Sequence, residues 1–212
     1  IYRNVKKIAI TYLKIKKGQS TSLHCHPKKK TGFLILSGIA EVQIGIYKKN
    51  IFRYKSMSIL VLRPGLFHKI KASNKQDLYA LEIENPYIKT DLIRMEDNYG
   101  RKNSGYENLV QSVRLKKNDI VFKTPLIKKT NRYILNNVKI EIFHLKNFKK
   151  YNSYDDKSVS IILDGCLASS CGKIVISVGE IVKSYTLKKL SESFKVNSKI
   201  LILKASKSLL KK

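Results

Sequence analysis

The chain has 212 residues, enough to bury one large core or two smaller ones. Its 43 Lys and Arg against 15 Asp and Glu give a formal charge of +28, while 43% of its residues are hydrophobic, as in ordinary globular proteins. No apolar run approaches the roughly eighteen residues of a membrane-spanning helix, and Ile1 to Ile15 mixes Lys and Tyr into its apolar positions, so this stretch is not expected to be a signal-peptide core.

Val5 to Ile15 reads as a strand of mixed alternation, followed by a turn at Lys17-Gly18-Gln19. Thr21 to His26 is a second strand and Gly32 to Ser37 a buried third, with Ser37-Gly38 turning the chain. Ile39 to Ile46 alternates, with Val42, Ile44 and Ile46 on one face and Glu41 and Gln43 on the other. Ile51 to Tyr54, Ser58 to Leu62, His68 to Ala72 and Leu78 to Glu84 complete the set, punctuated by the Pro64-Gly65 turn. Asp91 to Asp97 reads as a short helix or a lid segment, and Gly100 to Asn108 as a linker. A similar set of strands then returns, with candidates at Ser112 to Leu115, Lys139 to Leu145, Val159 to Leu163, Lys173 to Ser177, Glu180 to Tyr185, Ser193 to Val196 and Ile200 to Lys204. Short, evenly spaced strands with Gly and Pro turns predict an all-β sandwich or small barrel, present twice. Laying Gly165 on Gly38 puts Tyr151 and Ser153 where His24 and His26 stand, so the second barrel is expected to carry no ligand set and to serve in packing or assembly.

The chemistry concentrates in two places. His24 and His26 are two residues apart on a strand, so both imidazoles point to one face. His68 opens another strand after the Pro64-Gly65 turn, and these three are three of the chain's four histidines. Imidazole is the commonest protein ligand for zinc, iron, nickel and copper, which makes the trio a candidate metal centre. Cys25 lies between the first two and faces the other way, as a small buried apolar residue. Cys166 and Cys171 have a spacing weak for metal, and the odd count of three cysteines predicts reduced thiols in a cytoplasm. Glu82 lies on the strand face opposite Leu81 and Ile83, as a base or further ligand if that face turns into the barrel.

The large positive charge attracts polyanions. Lysine is spread along the whole chain, however, with short clusters only at Lys28-Lys29-Lys30, Lys116-Lys117, Lys128-Lys129 and Lys149-Lys150. No zinc-finger spacing, RNA-recognition motif or helix-turn-helix pattern accompanies them, so nucleic acid ranks last among partners.

Gly18, the run to His24-Cys25-His26 and the strand ending at Gly38 together resemble the first motif of the cupin superfamily, and Pro64-Gly65-Leu66-Phe67-His68 resembles the second. The resemblance implies a double-stranded β-helix (jelly-roll) barrel over residues 1–102, followed at 103–212 by a degenerate cupin-like barrel without ligands. It also implies a divalent metal (zinc, manganese or iron) on His24, His26 and His68. Leu81-Glu82-Ile83-Glu84 and the stretch from Asp91 to Tyr99-Gly100-Arg101 resemble the tail of the cupin-type mannose-6-phosphate isomerases. That likeness implies a soluble sugar or sugar-phosphate isomerase or epimerase, with Arg101 as a catalytic and substrate contact; Glu82 is expected beside it as the catalytic base, and Lys28 and Lys30 as substrate contacts. One departure stands out: Lys30 and Thr31 occupy the place where cupins usually carry a glutamate ligand, which weakens the hold on a dication. The alternative reading is a non-catalytic bicupin that binds a saccharide or scaffolds an enzyme of surface-polysaccharide biosynthesis. Cupins often pair through edge strands, so a homodimer is expected.

Overall fold

The computed structural model describes residues 2–4, 7–96, 120–149, 151 and 157–208, in two compact units, Ile1–Phe122 and Lys123–Lys212. The expected boundary at 102/103 lies outside the described residues, as do the expected strand at 112–115, the linker, Arg101 and Ser153.

Among the described residues of the first unit ten strands follow in order: β1 (Tyr2–Asn4), β2 (Ile8–Ile15), β3 (Leu23–Cys25), β4 (Lys30–Ser37), β5 (Ala40–Ile44), β6 (Ile51–Tyr54), β7 (Ile59–Leu62), β8 (His68–Ala72), β9 (Leu78–Asn85) and β10 (Ile93–Glu96). They form two five-stranded sheets, β1-β2-β9-β4-β7 and β10-β3-β8-β5-β6. Without the added edge strands β1 and β10, this is the strand order of a jelly roll, two Greek keys wound into a double-stranded β-helix. The inward faces of both sheets meet in one core that includes Phe33, Ile35, Val42, Leu62, Ile70 and Leu78. β4 and β9 are buried on their other faces too, since Leu34, Leu36, Leu81 and Ile83 are 0–1% exposed. This is why Phe33-Leu34-Ile35-Leu36 reads as a continuous apolar run rather than an alternating one.

The segment expected as a helix or lid is extended. Its residues Ile93 and Arg94 pair with Cys25 and His24 and so add β10 to the open edge of β3. An unpaired strand edge leaves backbone donors and acceptors exposed, and a neighbouring segment of chain satisfies them.

The second unit contains β11 (Thr130–Leu135), β12 (Val138–Leu145), β13 (Val159–Asp164), β14 (Leu167–Ala168), β15 (Ile174–Ile176), β16 (Ile181–Lys183), helix α1 (Ser184–Ser193), β17 (Lys195–Val196) and β18 (Ile200–Lys207). Its sheets run β11-β12-β18-β13-β16 and β15-β14-β17. The first repeats β1-β2-β9-β4-β7 strand for strand, and the second repeats β6-β5-β8. The turn glycines confirm the register of the repeat. Gly38 has φ +89° and a Cβ there would lie 2.5 Å from the Asp77 carbonyl oxygen; Gly165 has φ +80° and its Cβ would lie 2.3 Å from that of Lys199. The unexpected helix α1 replaces the tight turn that links β7 to β8. Leu187 and Leu190, three residues apart on one helical face, pack with Phe194 into the core of the second unit.

Candidate metal centre

β3 and β8 are antiparallel neighbours with His24 directly opposite His68. His26 follows β3 on the same face as His24. The three imidazoles therefore converge, with ring centroids 4.4 Å (His24–His68), 5.1 Å (His24–His26) and 5.5 Å (His26–His68) apart.

Backbone carbonyls set the tautomers. Nδ1 of His24 donates to the Ser22 carbonyl at 2.8 Å, that of His26 to Asp91 at 2.6 Å, and that of His68 to Leu66 at 3.0 Å. A carbonyl only accepts, so each Nδ1 carries the proton and each Nε2 keeps a lone pair. Nε2 of His26 and of His68 are buried with no hydrogen-bond partner. Buried acceptors of this kind are costly unless something binds them. The histidine ligand atoms lie within 4.8 Å of one another, and bonds of about 2.0–2.1 Å to a shared ion at the tetrahedral angle hold two nitrogens about 3.4 Å apart. Side-chain rotations of under about 1 Å close that difference, so the set fits a divalent metal, and anchoring of the far ring nitrogen is the usual support for such ligands. Among the described residues no second group of this kind occurs.

Burial also keeps the rings neutral, as ligation requires. It pushes the His24 pKa down to about 3, helped by the charge of His68 and opposed by the bond to Ser22. His26 is lowered to about 4 by burial, against the bond to Asp91. His68 is lowered as well, again chiefly by burial.

The imidazoles line a cavity of about 570 Å³, within the range typical of small-ligand sites. Glu82 and Arg94 line the same cavity, with Gln19 to Ser22 as polar wall and Leu13, Phe33 and Leu92 among the apolar residues. Glu82 shares the inward face of β9 with Leu78 and Ala80, so the strand does turn this carboxylate into the barrel. Enclosure by protein raises its pKa to about 7; Glu84 adds to the rise and the Lys29 ammonium opposes it. It stands outside the set of ligand atoms within 4.8 Å, which suits a proton carrier better than a ligand.

Of the other residues singled out in the sequence, Lys28 and Lys30 are not among those lining the cavity. Lys28 is exposed, and its backbone amide donates to the Asp91 carboxylate at 3.0 Å. Thr31, at the place of the usual cupin glutamate, is buried and its hydroxyl lacks a partner. Cys25 is buried, as expected. Sequence reasoning missed Arg94 and Asp91. Both belong to the stretch it singled out, but a helical reading hides the alternation that turns Arg94 inward between exposed Ile93 and Met95.

In the second unit Tyr151 is buried, with its hydroxyl bonded to Ser160 Oγ, which meets Ser184 Oγ at 2.9 Å. By register, Ser160 sits opposite Lys204 as Phe33 sits opposite Glu82, so a lysine stands in the place of the cavity carboxylate.

No family model matches the chain, and no curated protein does. Solved structures do. A conserved protein with a double-stranded β-helix domain from Klebsiella pneumoniae aligns over 44% of this chain and 74% of its own, at 19% identity and a TM-score of 0.40. An RmlC-like cupin family protein from Methanocaldococcus jannaschii aligns over 40% and 74%, at 15% identity and 0.36. The capsular polysaccharide assembling protein CapF of Staphylococcus aureus aligns over 43% and 29%, at 18% identity and 0.38, so this chain spans under a third of its length. The strand order carries the cupin fold here.

Proposed function

We propose that the first unit is a metal-dependent isomerase or epimerase acting on a small anionic carbohydrate, with a hexose phosphate as the model substrate. The observation that carries this is one carboxylate, Glu82, turned into a cavity that it shares with three imidazoles and a guanidinium. Moving a proton on a carbon beside a carbonyl needs a base within reach of that carbon, and in the metal-free protein burial already raises the Glu82 pKa to about 7, which favours return of the proton as well as its removal. Glu82 would take the proton from that carbon and return it to the neighbouring carbon on the same face for an aldose–ketose exchange; epimerisation would need a second acid on the opposite face. A divalent ion on His24, His26 and His68 would supply Lewis-acid polarisation of the carbonyl. Arg94 offers paired donors for a phosphate, a task that the sequence resemblance gave to Arg101 and the reading of the lysine cluster to Lys28 or Lys30. Arg101 remains a second candidate on the same stretch of chain.

The test is turnover on a panel of hexose phosphates with zinc, manganese or iron added. Glu82→Gln should lower turnover by about 10²-fold or more with metal content unchanged. His68→Ala should lose metal and turnover together, and His68→Ala with wild-type turnover would defeat the metal role. A specific observation favours a second reading, a binding or scaffold protein without turnover: Thr31 brings no charge where cupins usually place a carboxylate. A purified protein that carries no metal and refuses added metal supports that reading.

A further inference from the structure

The proposed chemistry leaves one buried ion pair without a task. Lys29 is 1% exposed and Glu84 6%, and the Lys29 ammonium pairs with Glu84 Oε1. Such a pair is weak evidence for stabilisation, because desolvating two charges cancels most of their attraction. What distinguishes this one is its further contacts. The same ammonium reaches the Ile88 carbonyl at 3.3 Å, and the Lys29 amide donates to Asp91 Oδ2 at 2.9 Å. Ile88 and Asp91 belong to the segment that leads from β9 into β10. The Asp91 carbonyl receives the Nδ1 proton of His26, and Arg94 enters the cavity further along the same segment. The Lys29 side chain therefore grips this segment at Ile88, next to the point where the backbone amides of Lys28 and Lys29 hold Asp91. The segment in turn fixes one imidazole of the trio and delivers the guanidinium.

We infer that Lys29 and Glu84 are positioning residues: their buried pair holds the 86–96 segment in place so that His26 presents Nε2 toward a metal and Arg94 faces the substrate. The inference rests on the reading of the three histidines as a metal site. A merely structural pair makes a different prediction, since replacing a buried ion pair with neutral side chains of similar size is often neutral or stabilising and should leave the site untouched.

The experiment compares full-length wild type with the double variant Lys29→Met/Glu84→Gln, which avoids stranding a single buried charge. Asp91→Ala serves as the second variant; it removes the carboxylate anchor and keeps the ion pair. Cobalt(II) is titrated into metal-free protein and followed by visible absorption, and amide hydrogen exchange is measured on the metal-free protein across 88–94. Both variants are expected to bind cobalt 10- to 100-fold more weakly, the usual loss when an outer partner of a ligand is removed. Their amides across 88–94 are expected to exchange at least about tenfold faster while those of β4 keep wild-type rates, the sign of a local opening. Folded variants with wild-type cobalt affinity and wild-type exchange overturn the inference. Should the double variant fail to fold, Glu84→Gln, which leaves Lys29 an acceptor but removes the charge pair, decides in its place by the same two readouts. Should wild type bind no cobalt, the metal reading fails, and the tie stands or falls on the exchange rates.

Discussion

Glu82 and the three imidazoles respond to enclosure in opposite directions, because burial disfavours whichever form is charged. The folded protein holds the Glu82 proton up to about pH 7, against 4.5 for an ordinary glutamate. Its contribution to stability is therefore complete below about pH 4.5 and is lost as pH rises through about 7. The histidines carry the reverse sign. With His24 held at about 3 and His26 at about 4 against an ordinary 6.5, their contribution is complete above pH 6.5 and is lost as pH falls through those values. Glu82→Gln, neutral at every pH, should thus unfold at a higher temperature than wild type at pH 8, with the advantage shrinking toward pH 5. Thermal unfolding in a chelator at both pH values checks this, and an equal advantage at both would remove burial as the cause. The histidines were legible in the sequence because a two-residue spacing on a strand fixes a shared face. Arg94 was not, because its direction depends on a strand pairing that no local pattern announces.

At the scale of elements, the strands of the first unit were legible wherever a turn residue had only one conformation to offer. Gly38 shows why: at φ +89°, with the Asp77 carbonyl oxygen 2.5 Å from any added Cβ, an L side chain is both strained and blocked. Gly38→Ala should cost about 1–3 kcal/mol in urea unfolding, as residues forced into sparsely allowed backbone do. Gly45→Ala is the control, with φ +79° but no atom within 4 Å of its Cβ, and should cost less. Two elements escaped the sequence for physical reasons. β10 is a four-residue strand with three exposed side chains, formed because β3 has an open edge. α1 starts with no side-chain cap and no acidic residue in its first turn, so the usual start signals are missing. Its stability comes from tertiary packing of Leu187, which is 0% exposed. Leu187→Ala should accordingly cost about 2–5 kcal/mol, read from the same urea titration.

For the whole molecule, duplication was legible in the sequence because two copies of one strand order leave two copies of one turn, at Gly38 and Gly165. The divergence between them was less so. Ser160 and Lys204 of the second unit take the register positions of Phe33 and Glu82, which line the cavity of the first, and Tyr151 and Leu187 belong to the second unit's buried core. The charge belongs to this scale as well. With 43 basic residues against 15 acidic ones, most exposed cations have no carboxylate to meet. Ion pairs such as Arg132–Glu141 and Lys139–Glu141 share a single acidic partner and, with their cations reaching into solvent, contribute little. The remaining lysines repel one another in the compact state, and salt screens that repulsion over about 10 Å at 0.1 M. Raising sodium chloride from about 0.02 to 0.3 M should therefore raise the unfolding temperature, the reverse of what a fold held by surface ion pairs would do. An unfolding temperature that falls over this range would mean that attractive pairs outweigh the excess of positive charge.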